Sequence, residues 1–384
     1  MNIIFKYFFY TIFYYLLLMA TLTANETKIK IGLLVPLSGD NSQVGNEVVE
    51  AVRMALKDIN NHQIEIYPKD TQSDPTQTLI SANELEKIGI DLVIGPVFYD
   101  SLAFLGDVSN LTFLSLTNKT LDLPKNVISS GINSTSQINT IKKFIELNEI
   151  KKSIFLIPNS NYDLEIKKGI KNSKIKIFKE YYYDIEPTKL TKQIEKITNY
   201  EVRKQNLIDE ITRLEKSEDS NKERKIENLK KKYTLGNLKF DSVIISDFDE
   251  SLKSVITSLL YTDVSPKDYF IITLNQWFDE SLEDETALHP IYYPSVDKKN
   301  LDTFKKKFFN EFNKYPSHLS LLSYDLIGLI YYLSLKNNLS EINKSFKSKN
   351  TFKGKIGIFD IHDNKINHRL NFYRIDKNGL KKIF

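Results

Sequence analysis

The sequence predicts an α/β protein made of two doubly wound lobes with a cleft between them. Three observations predict it. The stretch from Lys28 to Asn60 changes hydrophobic period in its middle and so reads as strand, loop and helix. A second β-α series starts afresh after the polar stretch Asn133 to Asn139. The chain, at 384 residues, also exceeds the roughly 250–300 residues at which a single hydrophobic core stops growing.

Ile29 to Pro36 is nearly unbroken apolar sequence, as expected of a strand covered on both faces. Leu37 to Gly45 supplies a loop. From Asn46 on, Val48, Val49, Val52, Ala55, Leu56 and Ile59 form one helical stripe, with Glu50, Arg53, Lys57 and Asp58 largely off it. Gln63 to Asp70 reads as a second strand and Gln77 to Lys87 as a helix. Asp91 to Gly95 is a third strand that stops at Gly95-Pro96, where Asp100 or Ser101 can cap a following helix. Leu111 to Leu116, the fourth strand, ends in the hydroxyls of Ser115 and Thr117. Three strands thus deliver loops to one rim of a sheet, where ligands of open α/β sheets collect.

The second block comprises helix Ile141 to Leu147, strand Ser153 to Ile157, helix Leu164 to Ile170 and strand Ile175 to Tyr183. It continues with strand Asp241 to Ser246, helix Leu252 to Leu260 and strand Tyr269 to Thr273. Between them, Thr191 to Tyr233 has no glycine or proline and is dense in charge. Its spacing predicts a projecting helical hairpin with a first arm of about 25 residues, near 37 Å long. In the last third, Leu301 to Phe312 is amphipathic, Leu319 to Leu335 is apolar all round and therefore buried, and Gly354 to Ile375 reads as a terminal β-hairpin across Asp363-Asn364. The expected division is a signal peptide over 1–24, a first lobe of 25–133 with 293–350, a second lobe of 134–292 carrying the hairpin insertion 190–235, and a hairpin over 351–384 that returns to the second lobe.

Lys6 precedes the uncharged apolar run Tyr7 to Met19, and small residues follow up to Ala24. This pattern reads as a secretory signal peptide, with an uncleaved anchor as the alternative. There is no cysteine, hence no disulfide, thiolate metal site or lipid-modified cysteine, and a soluble periplasmic protein is expected. The 53 basic and 49 acidic residues nearly cancel, leaving no nucleic-acid footprint. No G-x-G-x-x-G, phosphate-loop lysine or G-x-S-x-G elbow is present, and the five histidines lack ligand spacing, so no enzyme, cofactor or metal site is expected.

IGLLVPLSGDNSQVGNEVVEAVRMALKDIN, VIGPVFYDSL, NSNYD and PSHLSLLSYDLIGLIYYL together resemble the type I periplasmic binding proteins, the superfamily of the leucine and branched-chain amino-acid receptors. YTLGNLKFDSVIISDFDESLKSVITSLLYTDVSP, LNQWFD and the charged hairpin before them are similar to the branch called penicillin-binding protein activators. The resemblance implies Rossmann-like lobes. Its ligand contacts would fall on Ser38, Ser101, Ser115, Thr117 and Tyr162, with an acid for a ligand ammonium only among Asp247, Asp249 and Glu250. Asp163 stands where the relatives have glycine, and Phe98 and Tyr99 are bulky at the rim. The implied role is a non-catalytic regulator that engages a penicillin-binding protein. The hairpin Thr191 to Tyr233, charged and thinly apolar, is expected to be a partner-docking arm or else a spacer braced on the second lobe. The alternative is a substrate-binding receptor that delivers an amino-acid-like ligand to an ABC permease.

Overall fold

The computed structural model describes residues 28–60, 63–336 and 342–384, so the expected leader lies outside the described residues. The first sheet is built from β1 (Ile29–Val35), β2 (Ile64–Asp70), β3 (Leu92–Ile94), β4 (Thr112–Ser115) and β5 (Val127–Ser129), in the order β2-β1-β3-β4-β5. All its pairings are parallel. Alternation on β1 decides its packing, since Ile31, Leu33 and Val35 enter one core and Leu34 the other. Helices α1 (Ser42–Ile59) and α2 (Pro75–Lys87) connect the first three strands. Helix α1 begins hard against the end of β1. A Cβ on Gly45 would stand 1.7 Å from the Pro36 carbonyl oxygen, so only glycine fits there.

After β5 the chain crosses to a second sheet through α3 (Ser134–Leu147). This helix starts earlier than its apolar stripe predicts. The Asn133 side chain caps it by accepting from the Ser136 N–H at 2.9 Å, and the polar first turns are buried at the crossing. The second sheet contains β6 (Ser153–Pro158), β7 (Lys179–Tyr183), β8 (Ser242–Ile245), β9 (Phe270–Thr273) and β10 (Ile291–Ser295), all parallel. Helices α4 (Asp163–Ser173) and α5 (Pro187–Ile197) flank β7 in sequence.

The inserted hairpin is shorter than its charge pattern suggests. Leu190 and Ile194 of α5 are fully buried in the core of the second lobe, so α5 is a crossover helix and not an arm. The chain bends at Thr198-Asn199, where Asn199 is left-handed with φ 50°, and only α6 (Tyr200–Glu215) and α7 (Lys222–Lys230) project. Their root is clamped by Arg203, which donates to the Thr262 carbonyl at 3.0 Å and the Thr234 hydroxyl at 2.7 Å. Helix α7 buries no residue.

Helix α8 (Asp249–Tyr261) joins β8 to β9, and the short α9 (Glu280–Asp284) precedes β10. Past β10, α10 (Lys298–Phe312) and α11 (His318–Lys336) return to the first lobe and pack on α1. Lys307 and the Tyr324 hydroxyl meet Asp58 there, and Glu47 accepts from the Ser317 N–H at 2.9 Å. Helix α11 is long and apolar enough to cross a membrane, yet Leu321, Leu326, Leu329, Ile330 and Leu333 are fully buried inside the fold. The short α12 (Ile342–Ser345) follows.

The chain end departs from a single hairpin. β11 (Asn350–Lys353), β12 (Ile358–His362) and β13 (Lys365–Arg369) form a separate antiparallel sheet, turned at Asp363 and Asn364 with φ 50° and 56°. β14 (Asn371–Asp376) then joins the second sheet antiparallel to β10, and β15 (Gly379–Lys382) pairs antiparallel to β14, giving β15-β14-β10-β9-β8-β6-β7. One hydrophobic cluster runs from Leu33 on β1 through Ile330 on α11 and Phe359 on β12 to Ile245 on β8. The lobes therefore share a core at their crossings.

Two buried ionisable groups pin the small sheet. Asp325 on α11 is 2% exposed and accepts from the Ile356 N–H at 2.7 Å, and burial pushes its carboxyl up to about 6. His368 on β13 is 3% exposed, its Nε2 lies 2.8 Å from the Ser130 carbonyl, and burial pushes its imidazole down to about 4. The signs are opposite. Asp325 holds its proton more tightly folded than unfolded, so its contribution is present below about pH 4 and lost as pH rises toward 6. His368 holds its proton less tightly folded, so its contribution is present above about pH 6.5 and lost as pH falls toward 4. The two trends oppose each other in the parent chain. Urea unfolding from pH 4 to 7 is expected to show Asp325→Asn losing stability toward acid relative to the parent, and His368→Gln losing it toward neutrality, each by up to about 3 kcal/mol. Profiles parallel to the parent's in both variants contradict the assignment.

Candidate functional site

Between the lobes lies a cleft of about 300 Å³. The first lobe supplies Phe98 and Tyr99 after β3 and Thr117 and Lys119 after β4, the loop after β9 supplies Trp277, and the start of α11 supplies His318 and Leu319. Among the described residues, no carboxylate lines it. The Trp277 and His318 rings meet across the opening at 4.9 Å between centroids. Trp277 and Phe278 are both left-handed, with φ 50° and 60°, a conformation that bulky residues rarely take. Asn275 holds that turn, because its Oδ1 accepts from the Trp277 N–H at 3.1 Å and from the Ser295 hydroxyl at 2.8 Å.

The lobes are also tied by a carboxylate, against the loop that continues from Lys119. Glu165 projects from the first turn of α4 and is 2% exposed. Its oxygens accept from the Thr120 N–H at 2.6 Å, the Leu121 N–H at 2.6 Å and the Thr120 hydroxyl at 2.8 Å, all on the loop between β4 and β5 of the opposite lobe. Lys168, one turn on, donates to the Thr120 carbonyl at 2.6 Å. Behind the loop, the Tyr99 hydroxyl donates to the Leu121 carbonyl at 3.2 Å and Lys119 Nζ lies 4.4 Å from the Tyr99 ring centroid. Ser134 of α3 donates to the Glu165 carbonyl at 2.7 Å, fixing the turn that carries the carboxylate.

Of the five residues the resemblance points to, Thr117 lines the cleft. Its Oγ1 accepts from the Lys119 N–H at 3.2 Å, which leaves the hydroxyl free to donate. Ser38 is exposed after β1, does not line the cleft, and donates to Asp70 at 2.6 Å. The Ser115 hydroxyl is consumed by the Pro96 carbonyl at 3.0 Å. Ser101 is 1% exposed and its hydroxyl has no partner among the described residues, but it does not line the cleft. The helix expected to start there is instead two 3-10 turns, Asp100–Leu102 and Leu105–Asp107. Leu102, Leu105 and Val108 are buried at spacing three, which suits three residues per turn and leaves no α-helix N-terminus for a ligand carboxylate. The Tyr162 hydroxyl is buried in the second lobe without a partner among the described residues, and Tyr162 does not line the cleft.

The three acids considered for a ligand ammonium stand outside the cleft as well. Asp247 accepts from the Tyr183 hydroxyl at 2.6 Å, Glu250 pairs with Lys253 at 2.9 Å, and none of the three lines the cavity. Sequence reasoning missed Trp277 and Glu165. Trp277 is the chain's one tryptophan and sits in a motif already singled out, so it was within reach. Glu165 carries no local signal, since an acid in the first turn of a helix is ordinary and its partners lie 44 and 45 residues away.

Residues 28–202 match the family model described as periplasmic binding protein. Three solved structures extend the match over the described chain. The C-domain of LpoA from Haemophilus influenzae, a regulator of PBP1A, superposes with a TM-score of 0.64 at 13% identity, over 92% of this chain and 100% of that one. An ABC transporter substrate-binding protein from Desulfitobacterium hafniense in complex with leucine gives 0.61 at 12%, over 93% and 100%. The branched-chain amino acid substrate-binding protein LivJ from Streptococcus pneumoniae, in complex with isoleucine, gives 0.52 at 16%, over 93% and 99%.

The fold is that of a type I periplasmic binding protein.

At these identities the likeness is one of fold, and these neighbours include both substrate-binding proteins solved with leucine or isoleucine and a regulator of PBP1A. Among curated proteins the chain also matches the CRISPR-associated endoribonuclease Cas13a of Leptotrichia shahii, 24% identical over 342 residues, and an uncharacterised protein of Methanocaldococcus jannaschii, 27% identical over 164 residues. The matches cover 85% and 39% of this chain but only 23% and 36% of those proteins, and no residue role is carried from either.

Removing the Glu165 carboxylate leaves two loop N–H groups without their acceptor. Glu165→Ala is expected to lower unfolding stability by about 2–4 kcal/mol in urea titrations, and Glu165→Gln, which keeps one acceptor oxygen, by less. Equal stability in all three proteins contradicts a tie between the lobes.

Proposed function

We propose that this protein is a non-catalytic periplasmic regulator that acts by engaging a protein partner, a cell-wall synthase of the penicillin-binding protein class. The observation that carries this reading is the Glu165 tie. In a solute receptor, closing the lobes is the work of the ligand, whose polar groups bridge them. Here a side chain of the second lobe already occupies the backbone donors of the first. A receptor for amino acids also needs an acceptor for the ligand ammonium, and the cleft lining lacks a carboxylate. Likeness in fold to the LpoA C-domain supports a regulatory role, and the projecting pair α6 and α7, of which α7 buries no residue, is the docking arm in this reading.

The second reading, an ABC receptor, draws support from the open cavity of about 300 Å³ beside Trp277, at the lower end of the size range of small-molecule pockets. Surface plasmon resonance against a purified bifunctional synthase, together with thermal-shift measurements against leucine and isoleucine, separates the two. Saturable synthase binding that is lost when 200–230 is replaced by a Gly/Ser linker, with no amino-acid shift, is expected. A ligand at a thousandfold its Kd adds about 4 kcal/mol, so marked stabilisation by either amino acid without synthase binding contradicts the regulatory reading.

A further inference from the structure

The second sheet ends in an edge strand that, among the described residues, pairs on one side only. β7 pairs with β6 on one side and is the last strand in the sheet order, so its outer backbone groups face away from the sheet. Beside it runs an open groove of about 500 Å³, walled by α5, by the bend at Asn199 and by the segment leading into β8. Lys179, Lys196 and Lys239 line it, all exposed, and none has an ion-pair partner among the described residues. Phe178 and Tyr182 also line it and remain 49% and 39% exposed. No carboxylate lines the groove, and Glu180, the acid on β7 itself, accepts from the Tyr182 hydroxyl at 3.0 Å.

We propose that this groove is a docking site for an extended acidic peptide segment of a partner protein, which adds as a strand to the open edge of β7. The edge offers main-chain hydrogen bonds in register, and the aromatic rings offer apolar contact for alternate side chains of the incoming strand. The lysines select the charge of what can approach. An edge flanked by three cations repels a second copy of itself, because the same lysines would face each other, while a segment alternating acidic and apolar residues meets both features. A glycan could stack on the rings, but it cannot use the strand edge. The inference goes beyond the synthase reading, since it holds for any partner with such a segment.

The test uses the full chain and a fluorescein-labelled peptide that alternates glutamate with valine, followed by fluorescence anisotropy at low and physiological salt. Saturable binding is expected. Its lysine-valine counterpart is expected not to bind, and N-methylation of alternate backbone nitrogens is expected to weaken binding at least tenfold, because it removes the ladder donors while keeping the charge. Lys196→Glu with Lys239→Glu is expected to weaken binding by a similar factor with an unchanged melting temperature, since both side chains are exposed. Equal affinity for the N-methylated and parent peptides would mean simple electrostatic adsorption and overturn strand addition. Binding that survives the charge reversals places the peptide elsewhere, and binding of peptidoglycan fragments with none of the peptide identifies a glycan site; either result overturns the proposal.

Discussion

The rest of the structure depends on a carboxylate that has left water. Glu165 is 2% exposed, and a carboxyl group so placed is tolerated only where donors meet it. All the donors that its side chain engages belong to the loop between β4 and β5, so the second lobe keeps these buried oxygens satisfied only while the first lobe is docked. The loop cannot drift without stranding those oxygens. This requirement fixes the distance between the lobes, and with it the width of the cleft that Thr117 and Trp277 share.

That constraint has support from below. The lobes meet at the crossings after β5, after β10 and after β13, and the small antiparallel sheet wedges among them. Asn133 donates to the Ile366 carbonyl at 3.0 Å and the Ser136 hydroxyl accepts from the His368 N–H at 2.8 Å, which bind the wedge to the start of α3. Asp325 binds it to α11. Since α11 in turn packs on α1, movement of one lobe is resisted by a continuous core as well as by Glu165. The lobes are thus braced both through the shared core and through Glu165.

What could be read in the chain follows from how local each signal is. The strands β1 to β4 and the helices α1 and α11 are written in runs of neighbouring apolar residues, and they stand within a few residues of their expected limits. β10 was not legible, because Tyr292, Tyr293 and Pro294 lack period-two alternation and Pro294 argues against a central strand. The bend between α5 and α6 was hidden in a charge-rich stretch without glycine or proline, where Asn199 takes the left-handed turn instead. Of the expected ligand contacts, Thr117 faces the cleft, while Ser115 satisfies a backbone carbonyl that only the folded chain brings near. Glu165 was beyond reach, since its role arises from residues distant in sequence.

The central claim is that the lobes are held together without a ligand, and the distance between them is its most direct test. The chain has no cysteine, so Lys87→Cys at the end of α2 and Lys171→Cys near the end of α4 introduce two unique spin-label sites, one per lobe, both exposed. Double electron–electron resonance on the ligand-free protein should give one narrow distance that leucine leaves unchanged and that broadens when Glu165→Ala is added. A broad distribution in the ligand-free protein that collapses to a single short distance with leucine would contradict the account.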